Sequence, residues 1–155
     1  MKIGMGFDIH RLVPDRPLML GGVKIPFPKG LLGHSDADVL LHALCDALLG
    51  AAGAGDMGAH FPDTDPKWKD TPSVRFVEKA VELLGRSKMR VVNADLILVT
   101  EEPKLAPHKR AIQESVAQAL GIDHRKVNVK AKRMEGLGEI GAGEAMAAYA
   151  VVLVE

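Results

Sequence analysis

Apolar residues recur along the chain at two spacings, which together predict strands, one hairpin and helices. Alternating or continuous apolar runs predict strands over 2–12, 91–102, 126–133 and 145–155. Two short apolar runs around Gly21 and Gly22 predict a hairpin over 17–27. Helical spacing with proline and glycine end signals predicts helices over 36–49, 72–84 and 107–120. The first of these helices has a capping-box-like start, with Ser35 three residues before Asp38.

The order of these elements predicts one α+β domain over residues 1–155. We expect a small mixed β-sheet with helices packed on one face, because each strand and helix must bury its apolar side. The strand over 145–155 is apolar on both faces, so we expect its second face to lie at a subunit interface. Residues 53–70 are rich in Gly, Pro and Asp and predict a long loop, which in a compact domain is often functional.

Composition and charge narrow the functional classes. The chain has 155 residues, 47% of them apolar and 26% charged, a balance typical of a globular protein. Its 20 Lys and Arg equal its 20 Asp and Glu, which argues against a nucleic-acid binder or a polybasic membrane anchor. No apolar run reaches the roughly 18–20 residues of a membrane span, and polar residues come too early for a signal peptide. The single cysteine excludes an internal disulfide and favours a reducing, cytoplasmic location.

Asp8, His10 and His42 are the first candidate site. Asp8 and His10 are two residues apart in a predicted strand, so both side chains point to the same face. Beyond Asp36 at its start, the helix over 36–49 is apolar except for Asp38, His42 and Asp46, which are spaced by four and form one row. A solvent-facing stripe is the alternative, but such a stripe usually carries Lys or Glu. We expect His42 to complete a metal site, with Asp38 and Asp46 orienting it or contacting substrate.

These ligand types do not determine which metal is bound. Three protein ligands with a free fourth position are typical of catalytic zinc, whereas structural zinc has four protein ligands. Two histidines and one carboxylate also hold iron(II) in oxygenases.

A second group of residues could face phosphate. His34 and Ser35 precede a predicted helix, where backbone N–H groups favour an anion. The predicted loop carries Asp56, Asp63 and Asp65. These carboxylates could bind sugar hydroxyl groups or a cation; alternatively, they only form turns. Lys104, Lys132 and Arg133 follow strand ends, with Glu135 close by. This combination suits a diphosphate with its own Mg²⁺, although each residue alone is compatible with a solvated charge.

Four stretches of the chain closely resemble an enzyme family. They are GFDIH (6–10), the segment from GHSDAD to FPDTD (33–65), EEPKLAPH (101–108) and KAKRMEGLGEIGAGE (130–144). The family is that of the 2-C-methyl-D-erythritol 2,4-cyclodiphosphate synthases, lyases of the non-mevalonate isoprenoid (terpenoid) pathway. The resemblance implies that the 2-phosphate of 4-diphosphocytidyl-2-C-methyl-D-erythritol 2-phosphate attacks the β-phosphorus, releasing CMP. It also implies a homotrimer with each active site between two subunits.

The resemblance also implies roles for individual residues. Zn²⁺ is held by Asp8, His10 and His42, with a substrate phosphate oxygen as fourth ligand, and Mg²⁺ or Mn²⁺ is bound by Glu135 and the diphosphate. His34 is matched to a transition-state stabiliser, and Arg133 stands at the position of a second one. The remaining substrate contacts implied are Ser35, Asp56, Met57, Gly58, Phe61, Pro62, Asp63, Thr64, Asp65, Thr100, Glu101, Glu102, Pro103, Lys104, Leu105, Ala106, Ala131, Lys132 and Met134.

The chain departs from the family pattern at two places. Lys132, Arg133 and Met134 stand where hydroxyl residues, chiefly threonines, are usual. Glu139 and Ala142 stand where some members carry an aromatic residue and an arginine that face a central trimer cavity.

Three other functions remain as alternatives. A metal-dependent phosphohydrolase would release phosphate or a linear product. An iron(II) oxygenase would consume oxygen. A non-enzymatic trimeric binder of diphosphates would need a fourth protein ligand on the zinc, and Cys45 is off the row of Asp38, His42 and Asp46.

Overall fold

The computed structural model describes residues 1–155 and contains a five-stranded sheet in the order β4-β1-β7-β5-β6. The strands are β1 (Lys2–Pro14), β4 (Lys29–Leu31), β5 (Val91–Val99), β6 (Val127–Lys132) and β7 (Ala145–Val154), and β2 (Leu18–Leu20) and β3 (Val23–Ile25) form a separate hairpin. Strands β5 and β6 are parallel, whereas β7 is antiparallel to both β1 and β5. The mixed sheet predicted from the sequence is therefore confirmed.

The helices are α1 (Val39–Ala52), α2 (Met57–His60), α3 (Val74–Arg86), α4 (Lys109–Leu120) and α5 (Gly138–Gly141). The three long ones match the predicted helices. Two short elements, α2 and a 3₁₀ turn at Pro66–Trp68, lie within the predicted loop over 53–70. Helix α5 lies within the glycine-rich segment that precedes β7. No helix is long and apolar enough to cross a bilayer.

Helix α1 begins at Val39 rather than at Asp36, because Asp38 is the capping residue. The Asp38 carboxylate accepts a hydrogen bond from the Leu41 N–H at 3.1 Å. The same carboxylate accepts the N–H groups of Gly21 and Gly22, at 2.9 and 2.7 Å. The predicted capping role of Ser35 is therefore wrong, and one buried carboxylate ties the start of α1 to the turn between β2 and β3.

Helix α1 lies directly on β1 because β1 presents two glycines to it. A Cβ on Gly4 would lie 1.8 Å from the Ala47 carbonyl oxygen, and a Cβ on Gly6 would lie 1.9 Å from that of Ala43. Only glycine therefore permits this close approach. The next two residues on the same face of β1 are Asp8 and His10, which are brought beside His42 of α1.

Helices pack on only one of the two faces of the sheet. On β7, Met146, Ala148, Ala150, Val152 and Val154 are fully buried on the helix side. On the opposite face Tyr149 and Val151 remain exposed, and the facing β1 residues Ile3 and Met5 are 71% and 68% exposed. Phe7 packs against Tyr149 across the strands, with ring centroids 4.8 Å apart. Ala145 and Ala147 are buried on this second face too, so within one chain β7 exposes apolar surface from Tyr149 onward, on a face without helices.

Candidate active site

Asp8, His10 and His42 converge on one point, as the sequence predicted. The Asp8 Oδ2 atom lies 2.9 Å from His10 Nε2 and 3.0 Å from His42 Nδ1. The two ring nitrogens are 3.1 Å apart. Among the His, Cys, Asp and Glu residues, these form the group of three whose ligand atoms lie within 4.8 Å of one another. Cys45 is buried and its thiol faces the Phe76 carbonyl, so it offers no fourth ligand.

The outer nitrogen of each histidine has a hydrogen-bond partner, so the inner nitrogen, which faces Asp8, is the one directed at a metal. His10 Nδ1–H donates to the Leu32 carbonyl at 2.8 Å. His42 Nε2 lies 2.8 Å from the Ser73 hydroxyl. Metal-binding histidines usually show this arrangement, since the outer bond fixes the tautomer. The donor set therefore fits a divalent metal held by one carboxylate oxygen and two neutral imidazoles.

The charges in this group depend on one another. Burial would raise the pKa of Asp8, but hydrogen bonds from His10 and His42 outweigh it and lower that pKa to about 2. Burial would lower the pKa of His10, yet its hydrogen bond to Asp8 raises that pKa above the usual value. Without a metal, a proton on His10 thus offsets the charge on Asp8. A divalent cation held by these residues would displace that proton.

Asp38 has a structural role, so its predicted contact with His42 or substrate is wrong, whereas Asp46 also lines a cavity beside the metal ligands, so its predicted substrate contact stays a prediction. Asp38 is fully buried, and all of its contacts described above are to backbone N–H groups. Asp46 accepts the Met57 N–H at 2.6 Å and so ties α1 to the start of α2. The regular spacing of Asp38, His42 and Asp46 did not predict that the two carboxylates bind backbone N–H groups. Those N–H groups belong to other segments, and helical periodicity carries no information about them.

Two cavities open beside the Asp8–His10–His42 group. One, of about 260 Å³, is lined by His34, Ser35, Met57, Phe61 and Asp63 together with His10 and His42. The other, of about 370 Å³, adds Gly58 and Pro62 to Asp8 and both histidines. His34, Ser35 and five of the eight predicted loop residues therefore surround the metal ligands.

Three of the predicted loop residues do not line these cavities. Asp56 caps α2 by accepting the Ala59 N–H at 2.9 Å. Asp65 starts the 3₁₀ turn by accepting the Lys67 N–H at 3.1 Å, and its other oxygen pairs with Lys67 Nζ at 2.6 Å. Thr64 lies between Asp63 and Asp65 outside either cavity lining.

A third cavity, of about 320 Å³, lies where β5 and β6 end. Because the two strands are parallel, the segments that follow them meet at the same edge of the sheet. The structure brings together Thr100–Ala106 and Ala131–Arg133, as predicted, and adds Lys109 from the first turn of α4. No residue lines both this cavity and the two cavities beside the metal ligands.

Arg133 is held by Glu101 at the rim of this third cavity. Arg133 Nη2 lies 2.6 Å from Glu101 Oε1, and the Met134 N–H donates to the other carboxylate oxygen at 3.1 Å. Burial would raise the pKa of Glu101, but the hydrogen bond from Arg133 holds it below its usual value. Met134 and Glu135 lie outside the cavity lining, and Glu135 has a left-handed backbone with φ of 53°.

The sequence patterns did not predict a site role for four residues around His42, namely Asp36, Trp68, Ser73 and Phe76, although the resemblance did imply one for Phe61. The Ser73 hydroxyl contacts the His42 ring directly, and the Asp36 carboxylate contacts that hydroxyl. Phe61, Trp68 and Phe76 form an aromatic cluster, with Phe61 and Phe76 centroids 4.8 Å apart and Phe76 6.0 Å from His42. Ser73 and Phe76 lie more than thirty positions from Asp36 and His42, so no local pattern linked them. Their apolar or small side chains are equally typical of an ordinary core.

The chain closely matches known proteins over its whole length. The model of the YgbB family matches residues 1–155. The 2-C-methyl-D-erythritol 2,4-cyclodiphosphate synthase of Desulfatibacillum aliphaticivorans is 55% identical over 155 residues, covering 100% of both chains. The synthase of Clostridium perfringens is 53% identical over 154 residues, covering 99% of each.

Solved structures agree with this match. A 2C-methyl-D-erythritol-2,4-cyclodiphosphate synthase in a CDP-bound form has a TM-score of 0.92 and 42% identity, covering 99% of this chain and 100% of that one. The whole-length match and the shared fold show that the chain belongs to the YgbB family, whose relatives named above are 2-C-methyl-D-erythritol 2,4-cyclodiphosphate synthases.

Proposed function

We propose that the chain, acting as one domain in the cytoplasm, is a lyase that cyclises 4-diphosphocytidyl-2-C-methyl-D-erythritol 2-phosphate. A 2-phosphate oxygen forms a bond to the β-phosphorus, and the bond from that phosphorus to the oxygen bridging to the α-phosphate breaks. The products are 2-C-methyl-D-erythritol 2,4-cyclodiphosphate and CMP. The single observation that carries this proposal is the convergence of Asp8, His10 and His42 beside cavities that contain His34, in a chain of this family.

The metal in this proposal is Zn²⁺, held by Asp8 Oδ2, His10 Nε2 and His42 Nδ1. One carboxylate and two imidazoles form a common three-ligand set for catalytic zinc. When bound, the ion supplies a Lewis acid that polarises a phosphate oxygen and balances its charge. The protein has no need of a serine or cysteine nucleophile, because the attacking oxygen belongs to the substrate.

The remaining residues beside the metal ligands position the substrate and keep water out. His34 is exposed and lines the 260 Å³ cavity, so its imidazole is available to donate to the phosphate undergoing attack. Ser35, Met57, Gly58 and the 61–65 segment enclose the methylerythritol portion. Closing this segment over the site excludes water, whose attack on the β-phosphorus would give a linear product.

The cytidine end of the substrate is assigned to the 320 Å³ cavity formed by 100–106 and 131–133. Its backbone groups offer hydrogen-bond partners to the base and ribose. Lys104, Lys132 and Arg133 provide positive charge for the diphosphate, and Arg133 takes the place of the usual threonine. Glu135 holds Mg²⁺ or Mn²⁺ together with phosphate oxygens, since such ions prefer one or two carboxylates and substrate phosphates.

A homotrimer accounts for two features of the single chain. The apolar face formed by Ile3, Met5, Phe7, Tyr149 and Val151 is exposed in the single chain, and exposed apolar patches often mark an interface between proteins. The metal ligands and the cytidine cavity are lined by separate sets of residues. Packing three sheets face to face buries the apolar surface, and each complete active site then combines the metal side of one subunit with the cytidine cavity of its neighbour.

The test is incubation of the chain with the cytidine substrate, Zn²⁺ and Mg²⁺, followed by ³¹P NMR of the products. The expected result is cyclic diphosphate and CMP in equal amounts without inorganic phosphate. Inorganic phosphate or a linear product would instead indicate a phosphohydrolase. His42→Ala should abolish CMP release, whereas the matched control His124→Ala, on an exposed surface turn, should leave it unchanged.

A further inference from the structure

The hydroxyl group of Ser73 is fully buried but is not used to cap a helix. Ser73 stands at the N-cap position of α3, where a serine side chain ordinarily accepts an N–H from the first helical turn. Here it makes no such capping bond, and the residue has no exposed surface. A buried hydroxyl group needs hydrogen-bond partners, and its two nearest partners, Asp36 and His42, both lead away from α3, while the Ser35 hydroxyl lies farther away at 3.4 Å.

These partners form a linear chain from a carboxylate to the candidate metal ligand. The Ser73 hydroxyl donates its proton to Asp36 Oδ1. Asp36 Oδ2 also accepts the Ser73 backbone N–H at 3.1 Å, so the carboxylate binds both the hydroxyl and the backbone of Ser73. With its proton directed to Asp36, the Ser73 oxygen can only accept from His42, whose Nε2 lies 2.8 Å away.

Ser35 is the competing partner of His42 and is less suited to this role. Its hydroxyl oxygen lies 3.1 Å from His42 Nε2 and already accepts the Ala37 N–H at 3.1 Å. No carboxylate accepts the Ser35 proton among the contacts of that side chain. Ser35 can therefore donate to His42, donate to the Ser73 oxygen 3.4 Å away, or accept from His42, whereas the Asp36–Ser73 pair permits acceptance alone.

We propose that Ser73 and Asp36 are positioning residues that hold His42 as the Nε2–H tautomer, with Nδ1 directed at the metal. The inference rests on the proposed metal role of Asp8, His10 and His42. Loss of the acceptor leaves the proton free to move to Nδ1, the atom that must bind the metal, or leaves the ring free to rotate. Removing such an outer partner typically weakens metal binding about 10–100-fold.

The decisive experiment uses the full chain loaded with Zn²⁺ and compares Ser73→Ala, Asp36→Asn and the control Ser87→Ala. Ser87 lies at the opposite end of α3, exposed, so its substitution removes a serine hydroxyl from the same helix far from the site. Asp36→Asn keeps only one accepting oxygen, so it cannot hold both the hydroxyl and the backbone N–H of Ser73 as the carboxylate does, and it weakens the chain without creating a cavity. It therefore tests the proposal even if Ser73→Ala does not fold.

Two readouts separate positioning from a general loss of structure. In ¹⁵N NMR of the zinc-loaded protein, we expect a slowly exchanging proton on His42 Nε2, absent or fast-exchanging in Ser73→Ala and Asp36→Asn. In competition with a chelator, we expect Zn²⁺ affinity to fall about 10–100-fold in both variants and to be unchanged in Ser87→Ala. Circular dichroism identifies the variants that remain folded.

The outcomes also separate this inference from the proposed function. If His42→Ala abolishes Zn²⁺ binding while folded Ser73→Ala and Asp36→Asn keep normal affinity and the Nε2 proton, the positioning role is wrong and the metal role stands. If His42→Ala itself binds Zn²⁺ normally, the proposed metal site is wrong. A fall in affinity and loss of the Nε2 proton in either folded variant support the inference.

Discussion

Gly6 lies so close to the Ala43 carbonyl oxygen that a Cβ atom at this position would come within 1.9 Å of it. The contact is between the backbones of β1 and α1, which carry the three candidate metal ligands. Neither backbone can move without changing the separation of Asp8 and His10 from His42. The geometry of the metal site therefore depends on a position that carries no functional group.

Gly6→Ala should destabilise the protein and impair metal binding together. Overpacking of a dense core costs about 1–3 kcal/mol, and this contact is with backbone rather than with a flexible side chain. Urea denaturation measures the first effect and chelator competition for Zn²⁺ the second. The control Gly85→Ala, in α3 with nothing within 4 Å of the added Cβ, should be neutral or stabilising. Equal stability of the two variants would contradict the proposed close packing.

Asp38→Ala should destabilise the fold without acting on the metal directly. Asp38 is fully buried and accepts three backbone N–H groups, from Gly21, Gly22 and Leu41. Loss of the cap and of the partners for buried N–H groups should cost about 3 kcal/mol. Asp38→Asn, which retains one accepting oxygen, should lie between this variant and the unmodified chain. Thermal and urea unfolding measure the order, and an unchanged Asp38→Ala midpoint would refute the structural role.

The metal-free protein should lose stability as the pH falls from about 4 towards 2. The pKa of Asp8 is lowered from 3.8 to about 2 on folding, so its contribution is complete above the unfolded value and disappears as the carboxylate is protonated. A shift of this size corresponds to about 2 kcal/mol. Urea midpoints measured across this range should fall less in Asp8→Asn than in the unmodified chain.

Zn²⁺ affinity should rise with pH up to the elevated pKa of His10 and then level off. Burial would lower the pKa of His10, but Asp8 raises it, so the metal-free site binds a proton at neutral pH more readily than an ordinary histidine does. The metal must displace that proton. In the metal-free protein, protonated His10 stabilises the fold below its unfolded value of 6.5, and this contribution is lost as the pH rises through the folded pKa. Calorimetry in buffers of different ionisation enthalpy should show proton release on binding, and its absence would argue against the Asp8–His10 pair.

Glu101→Ala should weaken substrate binding while leaving Zn²⁺ affinity unchanged. Glu101 holds Arg133 and the Met134 backbone at the rim of the 320 Å³ cavity. Without Glu101, Arg133 and the Met134 backbone lose this contact and are less well positioned. KM should therefore rise about 3–10-fold, which corresponds to about 1 kcal/mol of binding free energy. Glu114→Ala breaks an Arg–Glu pair on the exposed face of α4 and serves as the control. A lower KM in Glu101→Ala would show that Glu101 restrains Arg133 rather than positioning it.

Val151→Glu should convert the assembly to monomers and abolish activity. Val151 lies on the exposed apolar face, directly opposite Met5 on β1. A charge buried there without a partner is incompatible with packing against a second sheet. Sedimentation velocity measures the assembly, and Gln118→Glu, on the exposed side of α4, adds the same charge elsewhere as a control. A monomeric unmodified chain would refute the trimer.

Local patterns in the sequence determined much of this protein. Period-two spacing placed Asp8 and His10 on one face, and helical spacing placed His42 on a polar row, because both depend only on backbone geometry within one element. The same reasoning located the three long helices and the long strands. The motif resemblance added the segments 100–106 and 131–133, which the parallel pairing of β5 and β6 brings together.

The tertiary structure alone decided what the partners of these residues are. Asp38 and His42 share one row, yet Asp38 caps a helix and binds the β2–β3 turn, while His42 meets Ser73 from another segment. Arg133 pairs with Glu101, thirty-two positions away. Such contacts depend on how closely separate elements pack, and here that distance is determined by glycines on β1 that carry no chemical signal of their own.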